Sequence, residues 1–335
     1  MAFTIDTAHT LPEALRHRAP DGSYMWAYDA LEKARLPFLE EMYFEQANDD
    51  LAHEFLRNVT KPTGTLTALE TGAPFETSKD RAIREQLCRI ESNMRVAVAT
   101  LEKAHKPSEF YREKETRHLL GLTKTMHETI FSKNSRGDMG ANPLDINGLG
   151  VRYGKLGDNV VGLGAASGTD LASAWLIKHG PDGFFGLYPR STGKGVRVSE
   201  YGEQVVYDAN NNPFKAVMTN FCVEFGIGIM DDACVQRICN IASSGNNSFF
   251  QDGTTVQKGE YALIDAIERL PGGNADNAAI YVGPKLMAQF RKRLNDKGNL
   301  YFTMQNVWGR PMLHFMDVPV IRVDTLVNNE SPLTA

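Results

Sequence analysis

The chain has 335 residues, of which 42% are hydrophobic, 23% charged and 9% aromatic, a globular composition that excludes disordered, collagen-like and low-complexity classes. Its formal net charge of −5 gives no global basic field for nucleic acid, and its apolar runs fall far short of the ~20 residues that span a bilayer. The opening segment MAFTIDTAHTLPEALRHRAP has no apolar h-region, and the four cysteines (Cys88, Cys222, Cys234 and Cys239) are too few for a disulfide scaffold, so buried thiols in a reducing compartment are expected.

Residues 1–25 read as an irregular arm punctuated by Pro12, Pro20 and Gly22. From Met25 to about Arg57 the spacing of Leu31, Leu36, Leu39, Met42, Phe44, Leu51, Phe55 and Leu56 reads as helical, broken or kinked at Pro37, which lacks the N–H to continue the ladder. Residues 58–80 are different. Only Val59, Leu66, Leu69 and Phe75 are sizeable apolar side chains there, threonines recur, and Pro62, Gly64, Gly72 and Pro74 interrupt. Such a stretch cannot build its own core, so it is either a mobile loop or an extended hairpin with its partner elsewhere. Doubled back, it would reach about 35 Å at ~3.3 Å per residue.

Residues 83–105 are ambiguous by period: a helix fits Leu87, Ile90, Met94, Val98 and Leu101, but a strand ending at Ile90 with a helix starting near Asn93 fits as well. The strongest helix runs from about Ser108 to Lys133, with Leu119, Leu122, Met126 and Ile130 on one stripe. Its other faces carry Arg112, Glu113, Lys114, Glu115, Arg117, Lys124 and Glu128. Residues 137–168 then hold nine of the 29 glycines.

The second half reads as rich in strands. Residues 174–177 and 184–188 are strands joined by the turn at 179–183, and Asp208–Pro213 is a hairpin signal between 204–207 and a long run from Phe214 to Met230. In that run Phe221, Val223, Phe225, Ile227 and Ile229 alternate with polar or small residues at period two. Helices are expected near 231–241, 259–270 and 284–297, the second stopped by Pro271-Gly272-Gly273 and the third by Gly298, followed by strands near 300–307 and 311–323.

Motifs for catalysis are weak. Gly162–Gly168 is one residue too long for a dinucleotide loop and opens no clear βαβ unit, and Ser191–Gly195 lacks the first glycine and the hydroxyl residue of a phosphate loop. His127-Glu128 has no second histidine at helical spacing, and Cys234 and Cys239 have no histidine pair nearby, so no zinc site is expected. Asp231-Asp232 reads as a capping pair.

The order of segments (arm, poorly self-burying loop, long two-faced helix, Gly-rich connection, β-rich half) resembles the major capsid proteins of tailed phages, the Hong Kong 97-like fold. The blocks at 110–153 (FYREKETRHLLGLTKTMHETIFSKNSRGDMGANPLDINGLGVRY), 173–195 (SAWLIKHGPDGFFGLYPRSTGKG) and 202–241 look like the epsilon-fifteen-like podovirus group, and the resemblance spans about residues 64–325.

The resemblance implies an α+β, Hong Kong 97-like chain in five parts. These are an N-terminal arm and helical lead-in (1–57), an extended loop (58–82), a peripheral domain with spine helix (83–230, helix 108–133), an axial domain (231–310) and a C-terminal strand returning to the core (311–335). It implies a non-enzymatic shell subunit that forms hexamers and pentamers of an icosahedral head in the virion, assembled in the host cytoplasm around double-stranded DNA. Its partners would be copies of itself, a scaffolding protein, a portal and a decoration or cement protein, with no cofactor, metal or membrane. Inter-subunit contacts are expected at Thr65, Leu66, Leu69 and Phe75 of the loop and at Arg112 and Glu115 of the helix. The rival readings are an encapsulin-like nanocompartment shell and a cytosolic nucleotide-binding enzyme using the Gly-rich region 157–168.

Overall fold

The computed structural model describes residues 37–104, 106–131, 137–163, 170–191, 193, 195–243, 249, 259–295, 301–307, 310–326 and 328–334. The arm at 1–25, the lead-in up to Leu36, most of the 162–168 glycine motif, Thr192 and Lys194 of the phosphate-loop-like turn, and Gly298 lie outside the described residues. In chain order the elements begin with α1 (Pro37–Glu41), β1 (Phe44–Gln46), β2 (Ala52–Thr60), β3 (Lys79–Gln86), β4 (Cys88–Ala97), α2 (Val98–Lys103), α3 (Pro107–Phe131) and α4 (Leu149–Arg152). They continue with β5 (Val160–Gly162), β6 (Leu171–Lys178), β7 (Phe184–Tyr188), β8 (Val196–Tyr207), β9 (Pro213–Ile229) and β10 (Val235–Ala242). The chain closes with α5 (Gly259–Glu268), β11 (Ala278–Val282), α6 (Pro284–Leu294), β12 (Phe302–Val307), β13 (Arg310–Phe315) and β14 (Val318–Arg322).

Two expectations are corrected. The helical reading of 25–57 fails over its described second half, where only Pro37–Glu41 is helical and the chain enters β1 and β2. Leu51, Phe55 and Leu56 fit a helical period, but the β-branched pair Val59-Thr60 and the aromatic Phe55 suit a strand once a partner strand is available. The expected helix at 231–241 is a one-turn 3-10 segment at Asp232–Cys234 followed by strand β10. All but the last residue of β10 is buried, so no alternation betrayed the strand.

The chain divides into two compact units. The first comprises 89–127 and 195–224 among the described residues. Its sheet is the antiparallel β8–β9 hairpin, in register from Val196↔Val223 to Tyr207↔Pro213, with β4 on the other side of β9. The Asp208–Pro213 signal closes this hairpin: Asn211 takes the left-handed conformation (φ 66°), and Asp208 Oδ1 accepts from the backbone N–H groups of Asn210 and Asn212. A bulge falls at Gly202, whose φ of 70° suits glycine. Helix α3 lies on this sheet. His118 stacks on Phe221 with ring centroids 6.0 Å apart, its ring nitrogen lies 2.7 Å from Ser92 Oγ, and Leu122 and Met126 of the expected apolar stripe are buried.

The second unit comprises the described residues of 37–88, 128–194 and 225–335. Its main sheet has seven strands in the order β12-β13-β14-β11-β6-β10-β5. Helices α5 and α6 cover one face, where Leu263, Ile267, Leu286 and Phe290 meet Leu176, Ile238, Ile280, Phe315 and Val320. Trp175, Arg237 and Tyr281 are fully buried on the intervening positions of the same strands. Phe38 of α1 packs edge-on against Phe131 and Tyr281, with centroids 4.7 and 4.9 Å away. Full burial of a phenylalanine stabilises by about 1.5–3 kcal/mol, which secures a helix of only five residues. Strands 171–178 and 184–188 form as expected but do not pair with each other, because β6 lies between β10 and β11 while β7 pairs with β1 and β9.

The C-terminal segment closes this unit. Glu330 pairs with the buried Arg237 guanidinium at 3.0 Å, and Arg237 also donates to Ser173 Oγ and to the carbonyl of Tyr153 and lies over the Trp175 ring. Asn240 holds both backbone groups of Leu333, at 2.9 and 2.8 Å.

Candidate functional site

β2 and β3 form a two-stranded ribbon, paired from Ala52↔Gln86 to Thr60↔Lys79, whose connection 61–78 has no helix or strand of its own. The sequence left a loop and a hairpin open, and the structure gives both: a hairpin at the base and an irregular tip. Every residue from 60 to 82 is exposed. Leu66, Leu69 and Phe75 are exposed to 102%, 107% and 103%, so their apolar side chains touch nothing that would shield them from water. Thr65 is the expected contact residue with an internal partner, its hydroxyl donating to Glu76 Oε1 at 3.1 Å across the tip.

The base of the ribbon is held firmly within the second unit. Arg152 Nη1 and Nη2 donate to Glu85 Oε1 and Oε2 at 2.7 and 2.6 Å, a bidentate pair with a buried carboxylate. On the other strand Arg57 meets Asp232 at 2.8 Å. Asp231 is the cap that the sequence suggested, accepting from the Ala233 N–H, whereas Asp232 serves this ion pair. The sequence offered no signal for either anchor, because the partners lie 67 or more positions apart. Arg152→Ala is expected to leave Glu85 buried without its cation and to speed amide exchange in 52–60 and 79–86 at least tenfold while the main sheet stays protected; unchanged exchange there would show that the pair does not anchor the ribbon.

Arg112 and Glu115 sit near the start of α3 in the first unit and line one shallow recess of about 410 Å³ with Leu101, Pro107, Ser108, Tyr111 and Val217. Its wall is apolar. Tyr111 Oη and Thr219 Oγ1 lie 2.5 Å apart, so the phenol is satisfied and its ring faces the recess. Partial burial and the nearby Glu200 carboxylate raise the pKa of Glu115, with Arg112 opposing them. Thus the structure groups Arg112 with Glu115 and, separately, groups Thr65, Leu66, Leu69 and Phe75. The recess lining from Leu101 and Val217 was missed because it comes from three distant segments. No group of three His, Cys, Asp or Glu side chains converges among the described residues, and no helix there is long and apolar enough to cross a membrane.

A family model for the major capsid protein GP7 matches residues 20–334. The chain belongs to that family. Among solved structures, this capsid protein resembles that of bacteriophage Epsilon15 at 18% identity and a TM-score of 0.65, with 100% of each chain covered. The bacteriophage JBD30 capsid matches at 10% identity and a TM-score of 0.51, covering 89% of this chain and 93% of that one. The SrpI encapsulin complex from Synechococcus elongatus aligns at 8% identity and a TM-score of 0.43, over 66% of this capsid protein and 92% of that chain. No curated protein matches. The expected Hong Kong 97-like, α+β capsid fold and shell role are therefore the fold and the role of this chain.

Proposed function

We propose that this capsid protein builds the icosahedral head of a tailed double-stranded DNA phage as hexamers and pentamers, and that its ribbon lies across a neighbouring subunit. The observation that carries this reading is the tip, where three large apolar side chains are wholly exposed on a segment anchored only at its base. Monomeric proteins rarely leave such groups together in water, and covering each returns about 1.5–3 kcal/mol. A single tip contact is weak, but closure of the shell repeats it at every subunit.

In this reading Thr65, Leu66, Leu69, Phe75, Arg112 and Glu115 are inter-subunit contact residues, α3 is the spine of the peripheral domain, and 231–310 supplies the axial domain. The role is structural, with no catalysis. A scaffolding protein, a portal and a decoration or cement protein are its partners, assembly takes place in the host cytoplasm, and DNA is enclosed without sequence-specific contacts, in keeping with the net charge of −5.

The combined change Leu66→Ser, Leu69→Ser and Phe75→Ser tests the ribbon. All three side chains are exposed, so circular dichroism and thermal melting are expected to match the parent. Particle yield by sedimentation and electron microscopy is expected to fall at least tenfold. Parental yield of closed shells would remove the ribbon tip from assembly.

A further inference from the structure

A cavity of about 580 Å³ opens beside α1 in the second unit, lined by residues 41–43, 179–181, 277–279 and Pro319. Its walls have hydrogen-bond acceptors to spare and few donors. Pro181 and Pro319 have no N–H, and the N–H groups of Met42, His179, Gly180 and Ala278 donate to the carbonyls of Phe38, Asn277, Phe184 and Ala275. Tyr43 and Asn277, which bring side-chain donors, are exposed and meet solvent. The acceptors are Glu41 and His179. Tyr281 Oη donates its one proton to Glu41 Oε2 at 3.0 Å, so the 2.7 Å contact of the same oxygen with His179 uses the imidazole Nε2–H. The ring's lone pair therefore lies on Nδ1. His179 is 7% exposed, and among the described residues its Nδ1 has no hydrogen-bond partner. A buried acceptor left bare costs free energy that a donor in the cavity would recover.

We propose that this cavity binds a primary ammonium group carried on an alkyl chain, with Glu41 and His179 Nδ1 as its acceptors and Met42, Pro181 and Pro319 around the chain. An ammonium brings three donors and a positive charge, which matches two acceptors of which one is a carboxylate. Burial raises the pKa of Glu41 and so does the Glu40 charge, against the Tyr281 hydrogen bond; a cation at Glu41 offsets both. A divalent metal fits the donor set poorly, because no group of three His, Cys, Asp or Glu converges among the described residues. A guanidinium asks for both carboxylate oxygens, and one of them serves Tyr281. The site lies wholly within the second unit, so it stands whether or not the ribbon crosses a neighbour.

Saturation-transfer difference NMR on the full-length free subunit at about pH 7 tests the site, with n-butylamine as the probe and 1-butanol as its uncharged counterpart. The expected result is a saturable signal from butylamine and at least tenfold less from butanol. Glu41→Gln still accepts from Tyr281 but carries no charge, and is expected to weaken butylamine binding about tenfold with an unchanged melting curve. Glu40→Gln, the neighbouring position outside the cavity lining, is expected to leave binding within about twofold of the parent. No saturable signal, equal signals from the two probes, or equal losses in the two variants would overturn the site. If Glu41→Gln does not fold, the comparison of the two probes on the parent still decides. In assembled particles a retained butylamine signal assigns the site to a free amine. An amide between Glu41 and a lysine Nζ, formed there by a carbodiimide that leaves as its urea, assigns it to a side chain of the shell.

Discussion

Glu330→Ala is expected to destabilise the second unit by about 3–5 kcal/mol, because it leaves a buried guanidinium without its counter-charge. Arg237 is 2% exposed on strand β10, and its remaining partners, Ser173 Oγ and the Tyr153 carbonyl, are neutral. The Trp175 ring, 4.7 Å from the guanidinium carbon, holds the charge electrostatically but does not neutralise it. Removing both charges, as in Arg237→Met with Glu330→Gln, is expected to cost much less, since no ion is then left stranded. Urea unfolding of the single and double variants reads the difference directly. A Glu330→Ala loss under 1 kcal/mol, or a double variant no better than the single, would show that the C-terminal segment is not locked by this pair.

Acid is expected to weaken both units between pH 6.5 and 4 through two buried histidines. Burial pushes the pKa of His127, at the end of the first unit, and of His179, in the second, from 6.5 down to about 4. Above pH 6.5 these imidazoles are neutral whether the chain is folded or not, and stability is complete. As pH falls below 6.5 the unfolded chain takes up protons that the folded chain refuses, so stability drops until about pH 4. The total is about 3 kcal/mol for each histidine. Glu41 works in the opposite sense, because burial raises its pKa above the ordinary value and protonation relieves that cost. Its carboxylate accepts from Tyr281 Oη, which also lies 2.7 Å from the His179 ring nitrogen, so His179→Gln keeps a polar partner for the phenol. Denaturant titrations at pH 7 and 4.5 are expected to show a large acid loss in the parent, reduced by about half in His179→Gln or His127→Leu. An equal acid loss in all three proteins would assign acid sensitivity to other groups.

The parts of the fold that were legible from the amino acids are those where large apolar residues recur at one period among polar or small ones. Helix α3 shows a single stripe through Leu122, Met126 and Ile130, and β9, although buried on both faces there, sets Phe221 and Val223 between Asn220, Cys222 and Glu224, so each reveals its period. Strand β10 is covered on both faces, and VQRICNI carries no period-two pattern to separate it from a buried helix. The ribbon fails for the opposite reason. Its outer residues are exposed on both sides, so its strands are defined by pairing with each other rather than by a core. The tip itself was recognisable because Leu66, Leu69 and Phe75 stand isolated among Thr, Gly and Pro. Arg112 and Glu115 came from family resemblance alone. The recess that gives them meaning needs Val217, more than a hundred positions further along the chain.

The latch formed by Arg237 with Glu330, and by Asn240 with Leu333, has a consequence for biosynthesis. Chains emerge from the ribosome in order, and β10 is made long before the residues that neutralise and pin it. A nascent subunit therefore carries an uncompensated charge in its central sheet until translation passes residue 333. Completion of the second unit therefore waits until residues 330–333 are made and reach β10.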